Sequence, residues 1–230
     1  MKRGLLNRTM DQLTLPDVLF LLALHEDKGK VHPSIAMSLH YGLGGAILAN
    51  LALLKMVEVD SKGKVLTLDA VPCEDSLLDE SYNKIKESGK IFKTRHWIEE
   101  FSRHFRRLQK RISEKMVTQG VLKLDGQTYI WCIPYQAYPQ LNASARYWIK
   151  QHIREILLAD APVVASDIAI INLVRACGML QYVITRDEQK CARRKIDVLT
   201  AEKANDRTIV DVIEIINSAA TTAAMIASIG

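Results

Sequence analysis

SIAMSLHYGLGGAILANLALLK (Ser34–Lys55), followed directly by MVEVDSKGKVLTL (Met56–Leu68), decides the fold class. The first stretch reads as a helix with a glycine-rich interior at Gly42, Gly44 and Gly45. A residue without Cβ lets a neighbouring backbone approach, so this helix is expected to be closely packed. The second stretch alternates apolar and polar residues on either side of Ser61-Lys62-Gly63, which is a β-hairpin signal. Gly42-Leu43-Gly44-Gly45 is not a dinucleotide fingerprint. No strand precedes it, and Ile47 stands where the third glycine belongs.

Working outward, Thr14-Leu15-Pro16-Asp17 is a helix start, with a hydroxyl cap, an early proline and an acid near the positive pole. It predicts a helix over Pro16–His25. Ser76–Ser88 reads as a helix with an acidic first turn. Thr94–Gln119 is a long, basic, amphipathic stretch, broken once and ended by Gly120. A second hairpin is expected over Val121–Leu124 and Thr128–Ile133 with Asp125-Gly126 at its tip, then a loop at Pro134–Gln140. Helices follow at Asn142–Ala159, Val163–Leu180, Arg186–Ala204 and Asp206–Ile229. The reading is mainly α: a single-domain helical bundle over residues 13–230 with two small β-hairpins, after a flexible N-terminal segment at 1–12. A helix leading into a hairpin occurs twice, at 34–68 and 94–133, without a residue-level repeat.

The 230 residues are 48% hydrophobic and 25% charged, which excludes disorder and collagen-like repeats. Cys73, Cys132, Cys177 and Cys191 form no C-x-x-C pair and read as reduced thiols of a cytosolic chain. Leu13–Leu24 and Ile215–Gly230 are apolar but fall short of a membrane span, so any membrane association is expected to be peripheral. No two of the six histidines stand at i, i+4 spacing, and there is no H-E-x-x-H, Walker A loop or nucleophile elbow. The paired acids Asp79-Glu80 and Glu99-Glu100 point about 100° apart on a helix and cannot converge. An enzyme is the least supported class, and no cofactor or metal is expected.

The charge is concentrated. Between Lys84 and Lys115 eleven basic residues face four glutamates, a net +7 that exceeds the +5 of the whole chain. On a helix Arg103, Arg107, Lys110 and Arg111 share a face with Arg106 at its margin, opposite Phe101, Phe105, Leu108 and Ile112. Such a run, almost unopposed by nearby acids, calls for an anionic partner: lipid headgroups, a nucleic-acid backbone or an acidic protein. Tyr129-Ile130-Trp131-Cys132-Ile133 is apolar at nearly every position. It is either buried on both faces or made to meet an apolar surface, such as a bilayer or a second copy. Nucleic acid fits less well, because base-reading side chains and stacking aromatics are few. A winged-helix-like nucleic-acid binder and an oligomeric interaction scaffold nevertheless stand as alternatives.

Leu13–Leu24, Tyr41–Ala46 with Leu51-Ala52-Leu53, Leu77–Glu80 and Gln119–Leu122 together resemble the Golgi phosphoprotein three family, in order and spacing from about Leu13 to the C-terminus. The resemblance implies a helical bundle ringed by amphipathic helices. It implies a peripheral protein on the cytosolic face of a membrane (the Golgi in a eukaryotic cell) that binds phosphatidylinositol 4-phosphate. In eukaryotic members it implies an adaptor for the tails of membrane proteins. The family's membrane-dipping or self-associating hairpin would correspond to Leu122–Ile133, with Tyr129, Ile130 and Trp131 in contact. Its headgroup pocket uses a tryptophan and an arginine where this chain has Ile35 and Gly44. Two further basic positions fall on Arg106 and Gln109, flanked by Arg107 and Lys110. These departures, and a short basic N-terminus of Lys2, Arg3 and Arg8, mark a divergent, prokaryotic-type member whose general attraction to anionic membranes is retained.

Overall fold

The computed structural model describes residues 13–25, 29–123, 125–130, 133–137, 143–203 and 205–227. The N-terminal segment 1–12 lies outside them. Helix α1 (Leu15–Ala23) leads through a 3-10 turn at Pro33–Ile35 to α2 (Ala36–Leu53). Strands β1 (Val57–Val59) and β2 (Val65–Thr67) precede α3 (Ser76–Glu87), α4 (Thr94–Ser102) and α5 (Phe105–Thr118). Strands β3 (Asp125–Ile130) and β4 (Ile133–Ala137) are followed by α6 (Ala143–Leu158), α7 (Ala165–Ala176), α8 (Gln189–Glu202) and α9 (Arg207–Ala227). The mainly α reading holds.

Helix α1 begins as its sequence dictates. The Asp17 carboxylate accepts from the Thr14 amide at 2.8 Å and the Thr14 hydroxyl at 2.7 Å, closing the first turn. Every residue of α1 except Val18 is buried, so it is apolar all round and sits at the centre. It packs on α2, which carries the core outward to α4, α7 and α9. The glycines of α2 set how closely these neighbours approach. A Cβ on Gly45 would stand 2.7 Å from the Ala219 Cβ of α9, and one on Gly44 would stand 2.6 Å from the Ile98 carbonyl oxygen of α4. Gly42 meets the Cys177 sulfur in the same way. That thiol is core filler, and burial pushes its pKa up to about 12.

Two segments, Pro33–Leu53 and Arg207–Met225, are long and apolar enough by composition to cross a bilayer. Here they are core helices packed on each other. The first hairpin forms as read, with Val57 opposite Thr67 and Val59 opposite Val65. Asp60 caps its turn by accepting from the Lys62 and Lys64 amides, both at 2.8 Å. Asp211 and Arg207 of α9 hold Val59 at its backbone amide and carbonyl.

The break read within the long basic stretch falls at Arg103-His104, between α4 and α5. Two expectations change. The helix expected over Val163–Leu180 stops at Ala176, where Gly178 turns the chain at φ +70°. The second hairpin is displaced along the sequence: Asp125 opposes Ala137, and Ile130 opposes Ile133. Asp125-Gly126 is therefore not the tip. An irregularity falls between Asp125 and Thr128, and the supposed loop at Pro134 is strand β4. A two-stranded ribbon is all edge, so a proline that cannot donate fits its outer side.

Candidate functional site

Helix α4 buries Thr94, Trp97, Ile98 and Ser102, the i, i+3, i+4, i+8 stripe that its sequence spells. Its end is clamped to α2 by a reciprocal pair. The Ser102 hydroxyl donates to the His40 carbonyl at 3.1 Å, and His40 Nε2 bonds the Ser102 carbonyl at 2.8 Å. Burial lowers the His40 pKa, with the Ser102 bond working the other way. The chain turns immediately after this clamp and starts α5, which buries Leu108, Ile112 and Met116. The first turn of α5, with Arg106 and Arg107, therefore lies just beyond the α2–α4 contact. Both arginines are exposed, as is Lys110 one turn on, with Gln109 half-buried beside it.

The basic run does not form one continuous stripe. Among the described residues, six of its eleven cations have an acid partner. Glu100 takes both Lys84 at 2.5 Å and Arg103 at 2.6 Å, and the Lys84 hydrogen bond holds its carboxyl below the usual range. Arg95 pairs with Glu99 at 2.7 Å, and Arg111 forks onto Glu80 with two bonds of 2.7 Å. Lys115 lies between Asp17 and Asp75. Burial works against its ammonium, but the two carboxylates outweigh that and raise its pKa. Lys110 makes only a long contact of 3.7 Å with Glu114. The expectation of cations almost unopposed is corrected, because three of the partners, Asp17, Asp75 and Glu80, come from elements outside the run.

Among the described residues no acid pairs with Arg106 or Arg107. They stand at the positive pole of α5, whose N-cap His104 offers no side-chain bond and whose first turn holds no acid. Cations at that pole oppose the helix dipole, and the first amides of a helix lack carbonyl partners. The combination suits an anion placed over the α4–α5 corner.

The remaining expected site residues lie elsewhere. Ile35 is 3% exposed within the core, and Gly44 is sealed by α4, so neither presents a polar group to this corner. Tyr129 and Ile130 lie on β3, opposite Pro134 and Ile133. Trp131 lies outside the described residues. A cleft of about 500 Å³ beside Lys115 is lined in part by Thr14, Asn50, Glu74, Asp75 and Gln119. Its one lysine already faces Asp17 and Asp75, so it does not attract phosphate.

Sequence reading passed over Tyr147 and Trp148 of α6, which are 56% and 42% exposed with their rings edge to face at 5.6 Å. Adjacency was the available signal, since two neighbouring aromatics on a helix diverge by about 100° and cannot both face one core.

The sequence model of the Golgi phosphoprotein 3 (GPP34) family matches residues 15–218, from the first turn of α1 to deep within α9. No curated protein matches the chain. The matched span contains the glycine-packed α2, both hairpins and the α4–α5 corner, and on it the chain belongs to the Golgi phosphoprotein 3 family.

Proposed function

We propose that this chain is a peripheral membrane protein that docks on anionic bilayers through the α4–α5 corner. The observation that carries the reading is the placement of Arg106 and Arg107, without acid partners among the described residues, on the uncapped positive end of α5. Lys110 and Gln109 extend that surface by one turn, and Gly44 packs against α4 behind it. A lipid phosphate supplies the charge that this helix end lacks. Tyr129, Ile130 and Trp131 of the second hairpin add apolar contact with the bilayer. Family membership supports phosphatidylinositol 4-phosphate as the headgroup, the cytosolic face of a membrane (the Golgi in a eukaryotic cell) as the location, and the tails of membrane proteins as further partners. Because this chain has Gly44 in a sealed position, negative surface charge is the property it recognises first.

Co-sedimentation tests this. Phosphatidylcholine vesicles carrying phosphatidylserine or phosphatidylinositol 4-phosphate should recover the protein at low salt, and plain phosphatidylcholine vesicles should not. At roughly 1 kcal/mol for each basic residue near the surface, Arg106→Ala with Arg107→Ala should weaken binding about 30-fold. Circular dichroism should stay unchanged. Equal recovery on neutral and anionic vesicles would overturn the reading.

A further inference from the structure

We propose that the cleft where α1, α2, α3 and α5 meet is a binding site for an aliphatic diamine or polyamine, with one ammonium inside at Gln119 and a second on Glu74 at the rim. This goes beyond the membrane reading and uses none of its residues. The cleft holds about 500 Å³, the size of a small-molecule site. It is lined by Leu13 before α1, Leu54 at the end of α2, Glu74 and Asp75 before α3, and Lys115 and Gln119 at the end of α5.

The wall is short of positive charge. Lys115, the one lysine that lines it, donates to Asp17, to Asp75 and to the Thr14 hydroxyl at 3.4 Å. Its three N–H groups are therefore engaged. Set against Asp17 alone, it leaves Asp75 and Glu74 unbalanced. Glu74 is exposed and has no cation partner among the described residues. Two helices also end at this cleft, α2 at Leu54 and α5 at Gln119, and each brings its negative pole. The last turn of α2 has no basic residue, and that of α5 has only Lys115. The starts of α1 and α3 lie here as well, but their positive poles are already met by Asp17 and by Asp75, which accepts from the Leu77 and Leu78 amides at 3.0 Å each.

Two buried oxygens point the same way. Gln119 Oε1 has no donor among the described residues, and neither has Asp17 Oδ1, whose carboxylate lies behind Thr14 and Lys115. A buried acceptor without a donor has lost its water and gained nothing in exchange. Both orphans are acceptors, so the missing group is a donor. An ammonium supplies the donor and the charge together. Leu13 and Leu54 form apolar wall, and Leu54 is 47% exposed, which suits a methylene chain. An anion would meet Asp75 and Glu74. A metal ion would need converging ligands, and no such group occurs among the described residues. A lysine side chain of another protein brings one ammonium, whereas a diamine reaches both Gln119 and Glu74.

Isothermal titration calorimetry on the full chain at low salt tests this with 1,5-diaminopentane and spermidine. Both should bind. Pentylamine, with one ammonium, should bind about 3-fold more weakly, and 1,5-pentanediol should give no heat. Glu74→Gln removes only the rim charge. It should weaken 1,5-diaminopentane about 3-fold and leave pentylamine unchanged. Gln119→Met removes the inner acceptor at similar volume and should weaken both amines about 10-fold or more. Circular dichroism should match the parent in each variant. If Gln119→Met does not fold, the pentylamine comparison and Glu74→Gln still decide. No heat with either polyvalent amine overturns the site, as does equal affinity of the parent and Glu74→Gln for 1,5-diaminopentane. Tighter binding of N-acetyl-lysine amide than of 1,5-diaminopentane overturns the small-amine assignment in favour of a protein partner. Both variants should bind anionic vesicles like the parent, so this site and the α5 corner fail separately.

Discussion

The α4–α5 segment and the start of α8 are both basic, yet they keep their charge to different degrees. The first is the denser run in sequence, and among the described residues six of its eleven cations are bound to carboxylates. The second is shorter and contains two acids of its own, Asp187 and Glu188. Even so, Arg186, Lys190, Arg193 and Arg194 are exposed and have no acid partner among the described residues, while Glu188 and Asp197 are occupied by arginines from α6 and α7. Charge density along a chain counts ions, whereas surface charge depends on which ions find partners across the fold. Lys115, the last cation of the basic run, is an internal staple between the start of α1 and the cap of α3.

The sharpest way to break this comparison is Lys115→Ala. Asp17 is fully buried and would lose its counter-ion, so stability should fall by about 3–5 kcal/mol. Urea titration would register this as a lower midpoint, and an unchanged midpoint would return Lys115 to the surface stripe. Gly44→Ala should come next, at about 1–3 kcal/mol, because the added methyl meets the α4 backbone. Arg111→Ala should cost about 0.2–1 kcal/mol, as expected for a half-exposed fork onto Glu80. Arg106→Ala should stay within about 0.5 kcal/mol of the parent while weakening vesicle binding. A cost equal to that of Arg111→Ala would mean that Arg106 has a structural partner after all.

The mildest effect is on pH. Arg154 and Thr185 hold the Glu188 carboxyl down to about 2, against an ordinary 4.5. A group whose pKa is depressed on folding contributes stability that is full above its unfolded value. That contribution should fade as pH drops from 4.5 to about 2. Replacing Glu188 by Gln should lower stability at neutral pH, where that contribution is full, leave it almost unchanged near pH 2, and so flatten the acid limb of the stability curve between the two.

Much of the fold is legible from local chemistry. Thr14-Leu15-Pro16-Asp17 caps α1 as written, Gly120 ends α5 at φ +71°, and Asp206 accepts from the Thr208 and Ile209 amides at the start of α9. The hairpin register was not legible. Asp125-Gly126 can form a turn or a bulge, and only the pairing of Ile130 with Ile133 decides which. The α4–α5 break was legible, and the fates of its charges were not. Glu80 and Asp75 are distant in sequence from the cations they bind, so no local pattern reports them. Exposure of Tyr147 and Trp148 was likewise settled by packing, since α6 buries Ile149, Ile153 and Ile156 instead.

The seal over Gly44 also constrains how this lineage can change. An arginine there cannot be introduced by one substitution, because the Ile98 carbonyl of α4 occupies the space. The neighbouring helix would have to retreat first, so residue 44 and the 98–102 segment must change together.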